Sequence, residues 1–170
     1  MSKQMPSGII RNWTMWADRD SKVGQADSLS LPKLERKVEE VFNAGMITPI
    51  EVPVGFEMPE FSFSFTGYDP DTMKLFGLAV GDEREFLATA DPTDDDGEVH
   101  SAITYFRGYI KIIEMGELKR GDIESTKYEL CWRYVRITYD GADIFEMDPF
   151  RVVVGGNDQT LESRRALLLE

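Results

Sequence analysis

The side chains best suited to nucleophilic or general-base chemistry, histidine and cysteine, each occur once in this sequence, as His100 and Cys131. A histidine-based catalytic set would have to use His100, which borders an acidic loop and which we interpret as a turn or strand-edge residue. Cys131 lies among aromatic residues in a predicted strand, so we interpret it as a structural thiol. No phosphate-binding loop, dinucleotide fingerprint or zinc-ligand spacing is present. Paired carboxylates stay open as a general acid and base, since the chain has 31 acidic residues and no spacing singles out two of them. Our expectation is no enzyme activity, no catalytic residues, no metal and no cofactor.

The acidic loop at residues 91–98 invites comparison with a calcium-binding loop. Such a loop carries an aspartate at its first position and a glycine at its sixth. Aligning Gly97 with that glycine places Pro92 where the aspartate should stand. We therefore interpret the segment as an acidic hairpin loop.

Length and charge bound the possibilities further. The 170 residues predict one domain, residues 1–170, and the single cysteine excludes an internal disulfide. No apolar run or leader pattern predicts a membrane span or secretion, so we expect a soluble, cytosolic protein. The net charge of −12 argues against ordinary nucleic-acid binding. It is compatible with a surface that stays near DNA without adhering, with a basic protein partner, or with a role in solubility alone.

Strands predominate in the elements that would position any site. Residues 58–66 alternate most regularly, with Phe61, Phe63 and Phe65 on the face predicted to be buried. The opposite face is polar and carries Glu60, Ser62, Ser64 and Thr66. Residues 127–139 change their apolar phase midway, which indicates a bulge or a bend from one sheet into a second, and Gly108 is a natural bulge or kink.

Two short helices complete the predicted fold. One lies near residues 69–76, where Asp69 can cap it and Pro70 suits its first turn. The other lies near residues 158–168, capped by Asn157 or Asp158. Strands at short spacing with two minor helices predict a mainly β protein, an antiparallel β-barrel or sandwich.

A charged segment at about residues 32–56 fits this fold least well. Leu34, Val38, Val41 and Phe42 match a helix template, Pro49 and Pro53 would break any continuation of that helix, and residues 50–54 are predicted to be extended. The segment also carries both charge signs: Lys33, Glu35, Arg36, Lys37, Glu39 and Glu40. It is either a solvated helix or loop, or a projecting arm that completes its packing on a neighbouring subunit.

Several short segments occur in a familiar order from one end of the chain to the other. They are residues 31–37 (Leu-Pro-Lys-Leu-Glu-Arg-Lys), 44–46, 67–70 (Gly-Tyr-Asp-Pro), 75–77, 106–108, 133–141, 155–158 and 163–167. On these segments the whole chain resembles the major tail tube proteins of contractile-tailed bacteriophages, the P2-like tube family that includes the tubes of R-type tail-like bacteriocins. Within the C-terminal segment, residues 150–154 and 159–162 (Gln-Thr-Leu-Glu) depart most from the family pattern.

The resemblance implies a virion structural protein, assembled in the host bacterial cytoplasm. Its subunits would form homohexameric rings that stack into the inner tail tube, a conduit for DNA ejection or the empty puncturing tube of a bacteriocin. The implied partners are further copies of the chain, the tail sheath, the tape measure protein inside the tube, and the baseplate and tail terminator proteins, with DNA passing without specific binding. The alternatives are a type VI secretion tube subunit, a carbohydrate-binding β-sandwich and an unrecognised hydrolase.

Within such a tube, two sets of residues are predicted to carry the function. The arm is expected to contact the next ring through its charged residues, Lys33, Glu35, Arg36, Lys37, Glu39 and Glu40. The polar face of residues 58–66, with Glu60, Ser62, Ser64 and Thr66, either lines the lumen or meets solvent or a neighbouring subunit on the exterior.

Overall fold

The computed structural model describes residues 8–169, and most of them belong to antiparallel strands. In chain order the strands are β1 (Ile9–Ala17), β2 (Asp20–Ser21), β3 (Ala26–Ser30), β4 (Arg36–Val41), β5 (Ile50–Phe56), β6 (Phe61–Thr66), β7 (Arg84–Thr93), β8 (Ala102–Glu114), β9 (Ser125–Tyr139), β10 (Ala142–Asp148), β11 (Arg151–Val154) and β12 (Asn157–Asp158). Helix α1 (Pro70–Lys74) runs into a 3-10 turn at Leu75–Gly77, and helix α2 (Leu161–Ala166) follows β12. No helix in this part of the chain has the length and apolar character needed to cross a membrane.

The long hairpin β8–β9 belongs to two layers of sheet. The second half of β9 pairs with β10, which places it in the order β12-β11-β10-β9-β8-β7-β1-β2. The first half, from Ser125 to Leu130, pairs instead with β6, and β6 pairs with β3. The sheet does not close on itself. This is the mainly β, antiparallel sandwich architecture that the strand pattern predicted.

Aromatic rings from the two layers meet in the core. Phe61 on β6 lies 3.9 Å from Phe106 on β8 between ring centroids, and Phe63 lies 6.1 Å from Phe86 on β7. Phe63 also stacks on Tyr128 of β9, with centroids 4.9 Å apart. All five rings are at most 2% exposed, which confirms the buried face predicted for residues 58–66.

The corner between the layers is a bulge opposite a glycine. Arg107 pairs with Tyr134 but Gly108 pairs with Trp132, so Arg133 is the extra residue on β9. Before the bulge every second residue of β9 up to Trp132 is buried, and after it the next buried residue is Val135, three positions later. The extra residue thus produces the change of buried face that the sequence predicted. A Cβ at Gly108 would lie 2.1 Å from the Cys131 carbonyl oxygen. Close backbone approach therefore demands glycine here.

Two local predictions about helices were wrong. Residues 36–41, which fit a helix template, form strand β4 and pair with β5 in a separate two-stranded sheet. The cross-strand backbone hydrogen bonds of the hairpin override a weak helical periodicity there. The C-terminal helix predicted near residues 158–168 is present as α2, but its N-cap is Thr160 and not Asn157 or Asp158, because residues 157–158 form strand β12 at the sheet edge.

Candidate functional site

A small-residue face covers the outside of the layer β3-β6-β9-β8. On β6, Ser62 stands beside Ser30 and Ser64 beside Ser28, and the hydroxyl oxygens of Ser28 and Ser64 lie 2.7 Å apart. Ser62 is half-buried and Ser64 is buried, whereas Thr66 and Glu60 are exposed. The structure thus places Ser62, Ser64 and Thr66 at alternate positions of β6, leaves Glu60 just before the strand, and adds the serines of β3.

Asp27, which was not among the residues predicted from the sequence, lies at a bulge of β3 between Ala26 and Ser28. Ser125 Oγ donates to its carboxylate at 2.5 Å and Ser64 Oγ donates at 3.3 Å. The two hydroxyls hold an exposed negative charge beside the serine face. In the sequence Asp27 is one of 31 acidic residues, and only the pairing of β3 with β6 shows that it lies beside the serines.

Charges on β9 flank the same face. Lys127 and Glu129 stand beside Ser64 and Ser62 respectively, and the Lys127 ammonium lies 3.6 Å from the Glu129 carboxylate. Next to them on β8, Ile112 is 42% exposed. The face is therefore small and hydroxylic in the middle, where Lys127 is paired to a carboxylate.

Both edges of this layer are open within residues 8–169. β3 pairs only with β6, and β7 pairs with β8 only from Ala102 to Gly108. Residues 109–114 of β8 therefore have a strand partner on one side alone, β9. An unpaired strand edge presents backbone donors and acceptors that a neighbouring chain can bind.

The predicted arm is the hairpin β4–β5 with its flanking residues. Lys33 Nζ lies 2.6 Å from Glu35 Oε2, and this hydrogen bond, together with the carboxylate charge, raises the pKa of Lys33. Arg36 lies over the ring of Phe56, 5.6 Å from its centroid. The other charged residues of β4, Lys37, Glu39 and Glu40, are exposed.

The distal half of the arm is unfavourable on its own. Glu40 stands directly opposite Glu51, and like charges in that position repel. Apolar side chains are also exposed, including Ile47 at 96% and Phe42 at 61%. These features favour a second surface that supplies positive charge and apolar contact.

A buried ion pair anchors the chain next to β3. Lys22 Nζ lies 2.7 Å from Asp69 Oδ2, and Thr72 Oγ1 donates to the same oxygen at 2.6 Å. Asp69 is the N-cap residue of helix α1, as predicted, but its carboxylate binds mainly the Lys22 ammonium and the Thr72 hydroxyl. Burial raises the pKa of Asp69, but the hydrogen bonds and charge of Lys22 and the bond from Thr72 outweigh it, so the pKa is lowered overall.

The two residues considered for catalysis lie far apart. His100 lies between the Thr93–Val99 bridge and the start of β8, where Ala102 pairs with Tyr139, whereas Cys131 pairs with Tyr109 further along the hairpin. Eight residues of strand separate the two places, about 26 Å at 3.3 Å per residue. His100 and Cys131 therefore form no nucleophile–base pair, and His100 lies at a strand edge, one of the two positions predicted for it.

His100 instead contacts carboxylates. Its Nδ1 lies 2.6 Å from Asp140 and its Nε2 lies 3.2 Å from Asp94. Hydrogen bonds to Asp140 and then Asp94 raise the pKa of His100 above its ordinary value. With Glu98, Asp94 and His100 form a group that could hold a metal ion.

Solved structures of contractile injection machines share this fold. A chain of the PVC extracellular contractile injection system, from its sheath–tube complex in the extended state, matches with a TM-score of 0.57 at 12% identity. The match covers 79% of this chain and 93% of that one. A chain of the anti-feeding prophage tube-terminating cap matches with a TM-score of 0.60 at 12% identity, covering 81% and 94%.

The amino-acid sequence is also similar to those of known tail tube proteins. The tail tube protein of Escherichia phage P2 is 32% identical over 148 residues, 84% of this chain and 86% of the relative. The major tail tube protein of Serratia phage KSP20 is 25% identical over 148 residues, 82% and 81% of the two chains. The family model described as phage tail tube protein FII matches residues 7–167. The chain therefore belongs to the phage tail tube protein FII family.

Proposed function

We propose that this chain forms hexameric rings that stack into the inner tube of a contractile tail, with the face of β3-β6-β9-β8 lining the lumen. The tail-tube role itself follows from family membership: the protein is a structural component of the virion tail and not an enzyme. The observation that carries the proposal is a serine-rich sheet face that ends in an open strand edge on each side.

Strand direction supports joining the layers of neighbouring subunits. In the layer β3-β6-β9-β8, each strand is antiparallel to the next one. The first and last strands, β3 and β8, therefore run in opposite directions. Rotation about a ring axis preserves those directions, and β3 of one subunit can therefore pair antiparallel with residues 109–114 of β8 in the next. Six subunits would close about two dozen strands into one barrel, which leaves neither edge open.

The chemistry of the face suits passage without adhesion. Phosphate binding requires free cations that release counterions from DNA. The centre of the face offers serine hydroxyls and the Asp27 carboxylate, and Lys127 is paired with Glu129. A duplex moving past this wall would meet no strong attachment point.

The arm is proposed to contact the next ring. Its charged residues, Lys33, Glu35, Arg36, Lys37, Glu39 and Glu40, lie on a hairpin that forms its own two-stranded sheet. Each exposed ion pair contributes only about 0–1 kcal/mol, but sixfold repetition multiplies the contact. Neutralising Lys33, Arg36 and Lys37 together should leave rings intact and shorten tubes in electron micrographs, and unchanged tube length would exclude the arm from stacking.

The tail sheath, tube terminator and baseplate proteins are proposed as partners. The fold matches come from assemblies that contain such components, including a sheath–tube complex, a sheath/tube terminator and a baseplate. The tape measure protein inside the tube is proposed from the family resemblance alone.

Thiol accessibility tests the lumen assignment. Ser62→Cys in a Cys131→Ser background places one thiol per subunit on the proposed wall, and Ser163→Cys in the same background places one on the exposed part of α2. A bulky maleimide should label Ser62→Cys in dissociated subunits but not in sealed, full-length tubes. Rapid labelling of Ser62→Cys in sealed tubes would place β6 on the exterior, and particles that remain monomeric would refute the ring itself.

A further inference from the structure

Three side chains with metal-ligand atoms converge beside the loop between β7 and β8. They are Asp94, Glu98 and His100, and one ligand atom from each lies within 4.8 Å of the others. Asp94 is buried, His100 is half-buried and Glu98 is exposed. A buried carboxylate, an imidazole and an adjustable carboxylate are an ordinary donor set for a divalent ion.

The loop backbone holds these residues in place. Asp94 N donates to the Glu98 carbonyl oxygen at 2.9 Å, and Gly97 N donates to the Asp94 carbonyl oxygen at 2.9 Å. His100 N then donates to the Pro92 carbonyl oxygen at 2.7 Å. These three hydrogen bonds fix the backbone of residues 92–100, and with it the positions from which the side chains of Asp94, Glu98 and His100 project.

Asp140 fixes the orientation of the imidazole. Its Oδ2 lies 2.6 Å from His100 Nδ1, and its Oδ1 accepts a hydrogen bond from Ser101 N at 2.9 Å. The His100 ring also stacks on Tyr139, with centroids 5.5 Å apart. With Nδ1 engaged by a carboxylate, Nε2 is the nitrogen directed at Asp94, the arrangement in which a histidine commonly binds a metal.

The contact between His100 Nε2 and Asp94 Oδ2 requires either a proton on Nε2 or a metal ion between the two atoms. When Nδ1 carries the proton of a neutral ring, Nε2 and the carboxylate oxygen present lone pairs to each other at 3.2 Å. A proton on Nε2 or a metal ion between the atoms removes that repulsion. Two ligand atoms each about 2.1 Å from one metal ion stand roughly 3.0–3.4 Å apart, so the observed separation already fits.

We propose that His100 Nε2, Asp94 Oδ2 and the Glu98 carboxylate bind a divalent first-row transition ion, with Zn²⁺ as the reference species. Asp140 acts on the site through His100, as the group that orients the ring. An imidazole ligand disfavours Ca²⁺ and Mg²⁺, which take oxygen ligands. The bound ion would cross-link the β7–β8 loop, and the His100–Asp140 contact would connect that loop to the turn between β9 and β10.

Calorimetry on the full-length chain, freed of metal by chelation, tests the site with ZnCl₂ as the probe. We expect one Zn²⁺ per chain. Glu98→Gln should weaken binding at least tenfold without disturbing the fold, because this side chain is exposed. His100→Gln should abolish the site, and Asp140→Asn should weaken binding about 10–100-fold. Asp95→Asn, in the same loop but outside the cluster, is the matched control and should bind as the parent chain does.

Co²⁺ absorption is a second measurement, and it reports on the ligands of the metal and not on the stability of the fold. Co²⁺ bound to nitrogen and oxygen ligands gives visible absorption bands, which His100→Gln should remove and Asp95→Asn should retain. The proposal is overturned if the parent chain binds no Zn²⁺, or if Glu98→Gln and His100→Gln bind it as tightly as the parent. Neither measurement depends on ring or tube formation, so its outcome is separate from that of the proposed function.

Discussion

Removing the charge of Lys22 should be among the most damaging single changes in the subunit. Lys22 and Asp69 are 2.7 Å apart, and only 6% and 10% of their side chains are exposed. Lys22→Met keeps the length of the side chain and leaves the Asp69 carboxylate buried without its cation. Breaking one partner of a buried pair costs about 3–5 kcal/mol. Because Thr72 still donates to Asp69, we expect a loss near the lower bound, about 3 kcal/mol.

The pH dependence of this loss has a predictable sign. In the parent chain the pKa of Asp69 is lowered, so its contribution to stability is present above the ordinary value of about 3.9 and is lost as pH falls through the folded pKa. In Lys22→Met the effect of burial dominates and the pKa should rise. The penalty of the buried charge then disappears as pH falls and the carboxyl is protonated. The stability difference between the two proteins should therefore shrink in acid.

Urea unfolding of dispersed subunits at pH 7 and at pH 4.5 measures both effects. A loss of about 3 kcal/mol corresponds to a fall in Tm of roughly 6–12 °C for a chain of this size. Lys74→Met is the matched control, since Lys74 pairs with Asp71 at 3.5 Å with both side chains over 70% exposed, and it should cost less than about 1 kcal/mol. A loss below 1 kcal/mol for Lys22→Met, or a loss that does not shrink in acid, would refute the role assigned to this buried pair.

Three further predictions concern the corner, the C-terminal helix and the lumen. Gly108→Ala should cost about 3 kcal/mol or more, because the added Cβ would meet the Cys131 carbonyl oxygen. Gly55→Ala is the control: a Cβ there has no atom within 4 Å, and the change should be tolerated in the same urea-unfolding assay. Backbone and side-chain hydrogen bonds from Thr160 lower the pKa of Asp158 to about 2, so Asp158→Asn should lose stability at neutral pH, and melts should converge as pH falls toward 2. Ser62→Lys with Ser64→Lys should let tubes assemble but retain DNA, so that ejection slows; unchanged ejection kinetics would place this face elsewhere.

Sequence patterns predicted the fold wherever one physical signal dominated. The alternation of Phe61, Phe63 and Phe65 with serines admits one interpretation, because a strand period of two separates the faces completely. The changed phase of β9 likewise predicted a bulge or a bend, and the structure has the bulge, with Arg133 as the extra residue. These are local consequences of backbone geometry, and no knowledge of distant residues is needed to derive them.

Positions that depend on distant partners were not predictable in the same way. Asp69 has the sequence context of a helix cap, but Lys22, far away along the chain, binds its carboxylate instead. Asp27 and Asp140 look like ordinary acidic residues until pairing places serines beside one and His100 beside the other. Residues 34–42 carry apolar side chains at helical spacing, and only the cross-strand pairing of β4 with β5 shows that residues 36–41 are extended.

Salt should separate the two kinds of contact proposed for the tube. Ring closure through β3 and the open edge of β8 would rest on backbone hydrogen bonds, which added salt screens little. Stacking through the arm would rest on exposed charges, and the screening length falls from about 10 Å at 0.1 M salt to about 3 Å at 1 M. Tubes should therefore dissociate into intact rings as NaCl rises, and a chain with Lys33, Arg36 and Lys37 neutralised should show a weaker salt dependence. Sedimentation with electron microscopy distinguishes rings from monomers, and direct dissociation of tubes to monomers would show that the arm does not form a separate, charge-dependent contact.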